Sequence, residues 1–190
     1  IKKAEELYKK SITIDINNPE PHNNLGTLFS SRSQYEKAES CYKKAISIKP
    51  LAISYYNLGS LYITTGNFSE AKKNLLESIK LNPKFVRAHR ALSRITNYKK
   101  DTSHLKLLET VNNELDKNDE DSKVDMSFAL GKAYEDIENF SKSFNFYQEA
   151  NSLYKKKIKF ILNDEMNKFN EIKNTFNISI FEKYKKFGNK

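Results

Sequence analysis

Small and apolar side chains recur along this chain at helical spacing, and the same set returns at a nearly fixed interval. Within one set the residues lie four and then three positions apart, which places them on one face of a helix. The sets follow each other after 34 and then 33 residues and consist of Ala4, Tyr8 and Ser11, then Ala38, Tyr42 and Ala45, then Ala71, Leu75 and Ser78. Such a period is typical of arrays that stack one helical unit on the next.

A Leu-Gly pair marks the helix that precedes these sets and recurs further along the chain. The pairs are Leu25-Gly26, Leu58-Gly59 and Leu130-Gly131. Glycine allows two antiparallel helices to approach closely, and Ala38 and Ala71 are expected at the matching small positions. Phe29 and Tyr62 lie three residues beyond two of the glycines and should fill the space between neighbouring units.

The pattern predicts helices along nearly the whole chain. Proline cannot continue a helical hydrogen-bond ladder, so Pro50 and Pro83 should follow the ends of two helices. The predicted helices cover residues 2–16, 20–32, 35–48, 52–65, 68–81, 84–98, 103–117, 121–137, 140–157 and 163–176, with a short one at 179–186.

Two strings resemble the tetratricopeptide repeat family nearly throughout: PHNNLGTLF…YEKAESCYKKAISIKP and SYYNLGSLY…FSEAKKNLLESIKLNP. The resemblance implies an all-α fold, a right-handed superhelical solenoid of antiparallel helix pairs. A heptad coiled coil is the structural alternative, but glycine and proline at fixed offsets would break a long continuous helix.

The predicted organisation is a short array with incomplete ends. Its parts are residues 1–18 as the second helix of a truncated repeat, 19–51 and 52–85 as repeats, 86–118 as a degenerate repeat, 119–157 as a repeat, and 158–190 as C-terminal helices with a linker. An upstream repeat is expected before the first residues, and a further domain is expected after Lys190.

Composition narrows the classes of partner. The 38% of hydrophobic residues suffices for a packed core, and no apolar run is long enough to cross a bilayer, so a cytoplasmic protein without a membrane partner is predicted. The net charge of +9 could favour nucleic acid. Most of this charge is lysine spread over many helix faces, however, and RNA binding would need aromatics near the basic residues, where only Tyr98 was found. Nucleic acid is therefore not an expected partner.

Catalytic chemistry is not expected within this chain. All five glycines have places in helix contacts, a turn or the chain end, which leaves none for a phosphate-binding loop. His22, His89 and His104 lie on different predicted helices without metal-ligand spacing. Cys41 is interpreted as a small buried side chain rather than a nucleophile. No catalytic, cofactor or metal residue is predicted.

The concave face of a helical solenoid is lined by the first helix of each pair, and this groove is the predicted binding site. In the tetratricopeptide family the residue before Leu-Gly faces the groove, and an asparagine there can donate to and accept from a peptide backbone. The predicted groove residues on the first two such helices are Asn23, Asn24, Thr27, Tyr56, Asn57 and Ser60. The alternative is that the asparagines bond only to neighbouring side chains.

Three arginines extend the predicted groove. Arg87, Arg90 and Arg94 share one helix face at spacing i, i+3, i+7, and an acidic partner segment could pair with them. Alternatively, they bond to carbonyl groups or to acids of the next helix such as Glu120 and Asp121.

A narrower resemblance begins at residue 84. The strings KFVRAHRALSRITNYKKDTSHLKLLE and FALGKAYEDIENFSKSFNFYQEANSLYKKKI resemble the repeat region that precedes the catalytic domain of bacterial tetratricopeptide sulfotransferases. The resemblance implies a missing α/β domain that uses 3′-phosphoadenosine 5′-phosphosulfate and acts on protein tyrosine or a sugar. No catalytic residue can be carried over to residues 1–190.

The predicted function is a protein-interaction scaffold, the substrate-recruiting or oligomerising part of such a sulfotransferase. The alternative is a stand-alone adaptor that assembles a multiprotein complex. The expected partner is a protein or peptide, with an acidic, tyrosine-containing segment suited to the arginines. Self-association of two chains through an open end of the array is a further option.

Overall fold

A computed structural model describes residues 2–116, 118–157, 162–176 and residue 180. The chain divides into two compact units, residues 1–153 and 154–190. In the described residues there are ten helices and no strand, which confirms the predicted all-α fold class. The helices are α1 (Lys2–Ile14), α2 (Pro19–Ser30), α3 (Tyr35–Ile48), α4 (Ala52–Thr64), α5 (Phe68–Leu81), α6 (Val86–Ile95), α7 (Ser103–Glu114), α8 (Glu120–Asp136), α9 (Phe140–Lys157) and α10 (Leu162–Thr175).

The bounds follow the sequence pattern closely. Helices α3, α5 and α9 have the predicted ends, and Pro50 and Pro83 follow α3 and α5 as expected. Asparagine side chains cap α2, α5 and α9: Asn18 Oδ1 accepts from Glu20 N at 2.9 Å, Asn67 Oδ1 accepts from Glu70 N at 3.3 Å, and Asn139 Oδ1 accepts from Lys142 N at 3.2 Å. The helix predicted at 179–186 lies outside the described residues apart from Ile180.

The first unit is built from successive helix pairs. Helix α2 packs on α3 and α4 packs on α5, in each case across a short turn. Neighbouring pairs meet where α1 contacts α2, α3 contacts α4 and α5 contacts α6. The first helices α2, α4 and α6 also contact one another in sequence order, so they form one side of the array.

The glycines of the Leu-Gly pairs each receive a large side chain from the second helix of the pair. A Cβ atom added to the glycine would lie 2.7 Å from the Tyr42 ring at Gly26, 2.9 Å from Leu75 Cγ at Gly59 and 2.8 Å from the Tyr147 ring at Gly131. The predicted close approach is therefore confirmed. Ala38 and Ala71 are fully buried, as expected for the small positions one turn earlier.

Aromatic residues fill the joints between pairs. Phe29 and Tyr62 are buried in the core that α2, α3 and α4 share, as predicted. The Tyr62 hydroxyl donates to Glu39 Oε1 of the preceding pair at 2.8 Å. The same bond recurs further along, where the Tyr134 hydroxyl donates to Glu109. Each tyrosine thus combines apolar burial with a polar link between pairs.

Helix α6 is shorter than predicted, because the chain turns inward after Ile95 rather than continuing to residue 98. Tyr98 is completely buried, and its backbone N–H donates to Asp136 Oδ2 of α8 at 3.0 Å. Lys132 of α8 donates to the carbonyl of Thr96 and to Asp136. These contacts bury Tyr98 and link the segment after α6 to α8, and α6 itself packs against α8.

A buried hydrogen-bond chain stabilises this irregular part. His89 Nε2 lies 2.8 Å from Pro83 O, His89 Nδ1 lies 3.0 Å from His104 Nε2, and His104 Nδ1 lies 2.6 Å from the Tyr98 hydroxyl. Burial lowers the pKa of His89, and it lowers the pKa of His104 to about 3, so both imidazoles are neutral near pH ~7. A neutral imidazole has one donor and one acceptor nitrogen, and the carbonyl of Pro83 can only accept. His89 therefore donates to Pro83 and accepts from His104, which in turn accepts from Tyr98.

In the second unit, α10 has an exposed apolar face. Met166, Phe169, Ile172 and Phe176 recur at helical spacing, and each is more than half exposed. None of the helices in the described parts of the chain has the length and apolar character that crossing a membrane requires.

The close approach at Gly26 predicts that a β-branched residue will not fit there. We expect Gly26→Val to lower the free energy of unfolding by about 1–3 kcal/mol, because the buried Tyr42 ring would have to move. Urea unfolding followed by circular dichroism measures this change. Asn24→Val is the matched control on the same helix, where the side chain is exposed, and should stay within about 0.5 kcal/mol of the wild type. Equal stability of the two variants would contradict this packing.

The buried histidines predict that stability falls on mild acidification. Histidines of the unfolded chain titrate near 6.5, above the folded pKa values of His89 and His104, so the unfolded state binds protons first. Stability should be complete above that pH and fall below it, with a limiting slope of about 1.4 kcal/mol per pH unit for each histidine. The free energy of unfolding in urea, measured at pH ~7.5, ~6.5 and ~5.5, tests this. Most carboxylates titrate below these pH values and therefore contribute little to the change.

His104→Gln should be less stable at neutral pH and show a shallower pH dependence than the wild type. His22→Gln is the comparison, because His22 lies on α2 outside the hydrogen-bond chain. Burial lowers the pKa of His22 as well, so this variant should lose the contribution of His22 and keep those of His89 and His104. A wild-type stability that does not change between the three pH values would exclude the neutral, buried pair.

Candidate functional site: a basic trough between α4 and α6

A cavity of about 600 Å³ lies between α4 and α6. It is lined by Tyr56, Ser60, Ile63, Thr64, Arg87, Arg90, Ala91, Arg94 and Asp125. On α4 the lining residues extend from Tyr56 to Thr64, and on α6 they extend from Arg87 to Arg94. The cavity is therefore a trough about two helical turns long. Five predicted groove residues meet here: Tyr56, Ser60 and the three arginines.

The three arginines lie on one face of α6 because the opposite face is buried. Ala88 and Leu92 belong to the apolar core with α5, and the spacing of positions 87, 90 and 94 keeps the charged side chains away from it. Seven residues at 1.5 Å per residue place the Cα atoms of Arg87 and Arg94 about 10 Å apart along the helix axis. One arginine therefore lies towards each end of the trough.

Arg90, in the middle, is held by α8. Its guanidinium donates to Asp125 and lies over the Phe128 ring, 4.7 Å from the ring centroid. Side-chain exposure is 41% for Arg90 and 21% for Asp125, so the pair is only partly shielded from water. Arg90 links α6 to α8 and is already neutralised. The partner of Arg90 is an acid of the next helix, as the alternative from the sequence allowed, but it is Asp125 rather than Glu120 or Asp121.

Arg87 and Arg94 differ from Arg90. Arg87 lies 5.8 Å from the Tyr56 ring centroid and 5.3 Å from that of Phe85, and these two rings meet edge to face. Within the described parts of the chain, neither Arg87 nor Arg94 forms an ion pair with a carboxylate. Both side chains are exposed. The trough therefore has guanidinium groups near both ends that can bind an anion.

Aromatic rings lie closer to the arginines than the sequence indicated. Tyr98, the aromatic nearest in sequence, is buried in the hydrogen-bond chain with His104. Tyr56, Phe85 and Phe128 instead come from the flanking segments and pack against guanidinium groups. Their proximity depends on the stacking of α4, α6 and α8 and could not be inferred from spacing along one helix.

The other predicted groove residues lie outside the lining of this trough. Asn57 Nδ2 donates to Asn23 Oδ1 at 3.0 Å, which corresponds to the alternative in which the asparagines bond to each other. Asn23 is buried, and Thr27 accepts from the Tyr42 hydroxyl at 3.3 Å. Asn24 is exposed on α2.

A smaller cavity of about 270 Å³ borders Arg94 on its other side. Its two lysines are paired: Lys99 with Glu138 and Lys132 with Asp136. These ion pairs make this cavity a weaker anion site than the trough. Elsewhere, Cys41 is half-buried, and burial raises the pKa of its thiol. No group of three or more potential metal ligands occurs among the described residues.

Sequence reasoning missed Asp125, Ile63, Thr64 and Ala91 in the trough. Asp125 follows Arg90 by 35 residues, close to the repeat period, so equivalent positions on adjacent first helices could have suggested the pair. Ile63 and Thr64 continue the face of α4 that already contained Tyr56 and Ser60.

Comparisons with known proteins agree with this architecture. Residues 19–50 and 52–85 match family models of the tetratricopeptide repeat. The peroxisomal targeting signal receptor of Candida albicans is 34% identical over 86 residues, which cover 43% of this chain but only 14% of the receptor.

Solved structures share the fold at low sequence identity. MamA is 23% identical with a TM-score of 0.58, over 82% of this chain and 90% of MamA. YrrB, described as a tetratricopeptide protein with an unusual peptide-binding site, is 20% identical with a TM-score of 0.55, over 80% and 84% of the two chains. The anaphase-promoting complex assembly Cut9–Hcn1 is 17% identical with a TM-score of 0.63, over 80% of this chain and 30% of its own.

The two family matches coincide with the helix pairs α2–α3 and α4–α5, in which glycine receives a large side chain. Residues 19–50 and 52–85 are therefore tetratricopeptide repeats, and the solved structures share the helical-array fold of the chain.

Proposed function

We propose that this module binds an acidic segment of a partner protein in the trough between α4 and α6. The observation that carries the proposal is the state of Arg87 and Arg94. Each is exposed, each lines the trough, and neither is paired with a carboxylate in the described parts of the chain. Guanidinium groups in this state form strong charge-assisted hydrogen bonds with carboxylates.

The rest of the trough suits a peptide rather than a small molecule. Ser60 and Thr64 supply hydroxyl groups that can bond to a peptide backbone, and Ile63 with Ala91 supplies apolar contact. The Tyr56 ring, held by Phe85 and Arg87, offers a rigid surface for a partner side chain. An extended segment of a few residues fits the length of the trough.

Two similar proteins support a peptide ligand. YrrB is described as having a peptide-binding site, and the Candida albicans protein is a receptor for a targeting signal. Neither description assigns a ligand to this chain, and an acidic, tyrosine-containing segment remains the chemistry that its own arginines favour.

Peptide binding to the 190-residue chain tests the proposal. We expect acidic peptides to bind more tightly than neutral or basic ones of the same length, and to lose affinity between ~50 and ~300 mM salt because the contacts are partly exposed. Replacing both Arg87 and Arg94 with Gln should weaken acidic peptides at least about tenfold, since charged hydrogen bonds contribute about 1.5–3 kcal/mol each. Fluorescence anisotropy measures the affinities.

A matched control replaces two cations elsewhere. Lys73→Gln with Lys80→Gln removes the same charge from the exposed surface of α5 and should leave the affinity nearly unchanged. If both double variants weaken peptide binding equally, the loss of affinity comes from the lower net charge of the chain and not from Arg87 and Arg94. Failure of every acidic peptide to bind the wild type would refute the proposal.

A narrower candidate is that these repeats recruit acceptor substrate for a sulfotransferase domain in the same protein. Its support is the sequence resemblance from residue 84 onwards, including the irregular third unit. The cofactor 3′-phosphoadenosine 5′-phosphosulfate would belong to that domain. A stand-alone adaptor, or a module that associates with a second copy of itself, is the alternative.

The coding sequence beyond Lys190 separates these candidates. The sulfotransferase proposal expects a strand followed by a loop rich in glycine, arginine and serine, because such a loop would bind the phosphates of the cofactor. Further repeats or a stop codon would favour the adaptor and overturn the sulfotransferase proposal.

A further inference from the structure

The three arginines of α6 are not equivalent, and the difference comes from one acid on α8. Asp125 accepts from Arg90 and itself lines the trough. It therefore occupies the position in which a ligand carboxylate would otherwise meet Arg90. Arg87 and Arg94, towards the two ends, have no such internal partner among the described residues.

This arrangement gives the trough an alternating charge pattern. Positive charge lies at both ends, and between them Arg90 is compensated by the carboxylate of Asp125. A third acidic side chain of the ligand, bound between the other two, would lie close to the carboxylate of Asp125. The two negative charges would repel each other, because Asp125 is partly shielded from water. The Phe128 ring beneath Arg90 also limits how far the Arg90 head group can turn towards another anion.

We infer that Asp125 acts as a built-in competitor at the centre of the trough, so that the trough selects a peptide with two acidic side chains about 10 Å apart and only neutral residues between them. The inference rests on the proposed function and names the ligand pattern for the same site. Asp125 is thereby a specificity-determining residue, although it need not form a favourable contact with the ligand.

The spacing of the Arg87 and Arg94 Cα atoms along α6 favours one sequence spacing of the ligand acids. In a polyproline II conformation the chain rises about 3.1 Å per residue with three residues per turn, so acids at positions i and i+3 lie on one face about 9 Å apart. In a β-strand, acids at i and i+2 share a face but lie only about 7 Å apart. The best match is two acids separated by two neutral residues, of which one contacts Ile63 and Ala91.

Four peptides of equal length and hydrophobicity test the spacing. Three carry two glutamates that are adjacent, two apart or three apart. The fourth has the three-apart pattern with a third glutamate, the central glutamate, at one of the two positions in between. We expect the three-apart peptide to bind the wild-type chain about tenfold more tightly than the adjacent one. The added central glutamate should weaken binding, although it raises the negative charge of the peptide.

Asp125→Asn should reverse the effect of the central glutamate. Asparagine keeps the shape of the side chain but removes its charge, which leaves Arg90 able to bind the ligand. The peptide with three acids should then bind more tightly than the peptide with two. Glu77→Gln is the matched control: it removes one exposed carboxylate from α5 and should leave the wild-type order unchanged.

A second variant tests whether Arg90 itself is needed to bind the ligand. Replacing Arg90 with Gln and Asp125 with Asn together preserves the net charge and removes the whole central pair. It should bind the two-acid, three-apart peptide within about threefold of the wild type, because Arg87 and Arg94 remain. A much larger loss would show that Arg90 itself holds the ligand, and the inference would be wrong.

The outcomes distinguish this inference from the function on which it rests. If no acidic peptide binds, both fail. If acidic peptides bind in proportion to their charge, with no effect of spacing and none of Asp125→Asn on the order, the trough binds acids without this selection. The proposed function would then stand and the role of Asp125 would be refuted.

Discussion

The array depends on the contact between a glycine of one helix and a large side chain of the next. Because Gly26 and Gly59 have no side chain, Tyr42 and Leu75 pack directly against the backbone of the first helix. Burial of these side chains stabilises each pair, and the small volume of glycine sets the distance between its helices. The spacing within the pairs α2–α3, α4–α5 and α8–α9 follows from this contact.

The trough is a consequence of that stacking rather than a separately folded site. Helices α4 and α6 lie side by side because α5 packs against both of them. The core uses the opposite face of α6, so its arginines point to the space between the first helices. The buried chain of His89, His104 and Tyr98 then replaces the regular packing of the third unit and positions α6 against α8.

The sequence was sufficient to predict the helices and repeats because glycine, alanine and proline act locally and recur with the period. It did not predict the early end of α6, since that depends on Tyr98 reaching His104 and Asp136 in three dimensions. The arginine stripe was predicted correctly as one helix face. The sequence suggested Glu120 or Asp121 as acidic partners and missed Asp125, the partner of Arg90, because the packing of α6 against α8 decides which turn of α8 lies opposite Arg90.

The central claim is that Arg87 and Arg94 bind the ligand while Arg90 serves the fold. Side-chain Nε–Hε resonances of arginine in a ¹⁵N-labelled chain report on each guanidinium separately during titration with a two-acid peptide. The account predicts that the signals of Arg87 and Arg94 shift progressively and that the Arg90 signal stays nearly constant. Unchanged signals for Arg87 and Arg94 upon saturation with a peptide that binds, or a shift confined to Arg90, would contradict it.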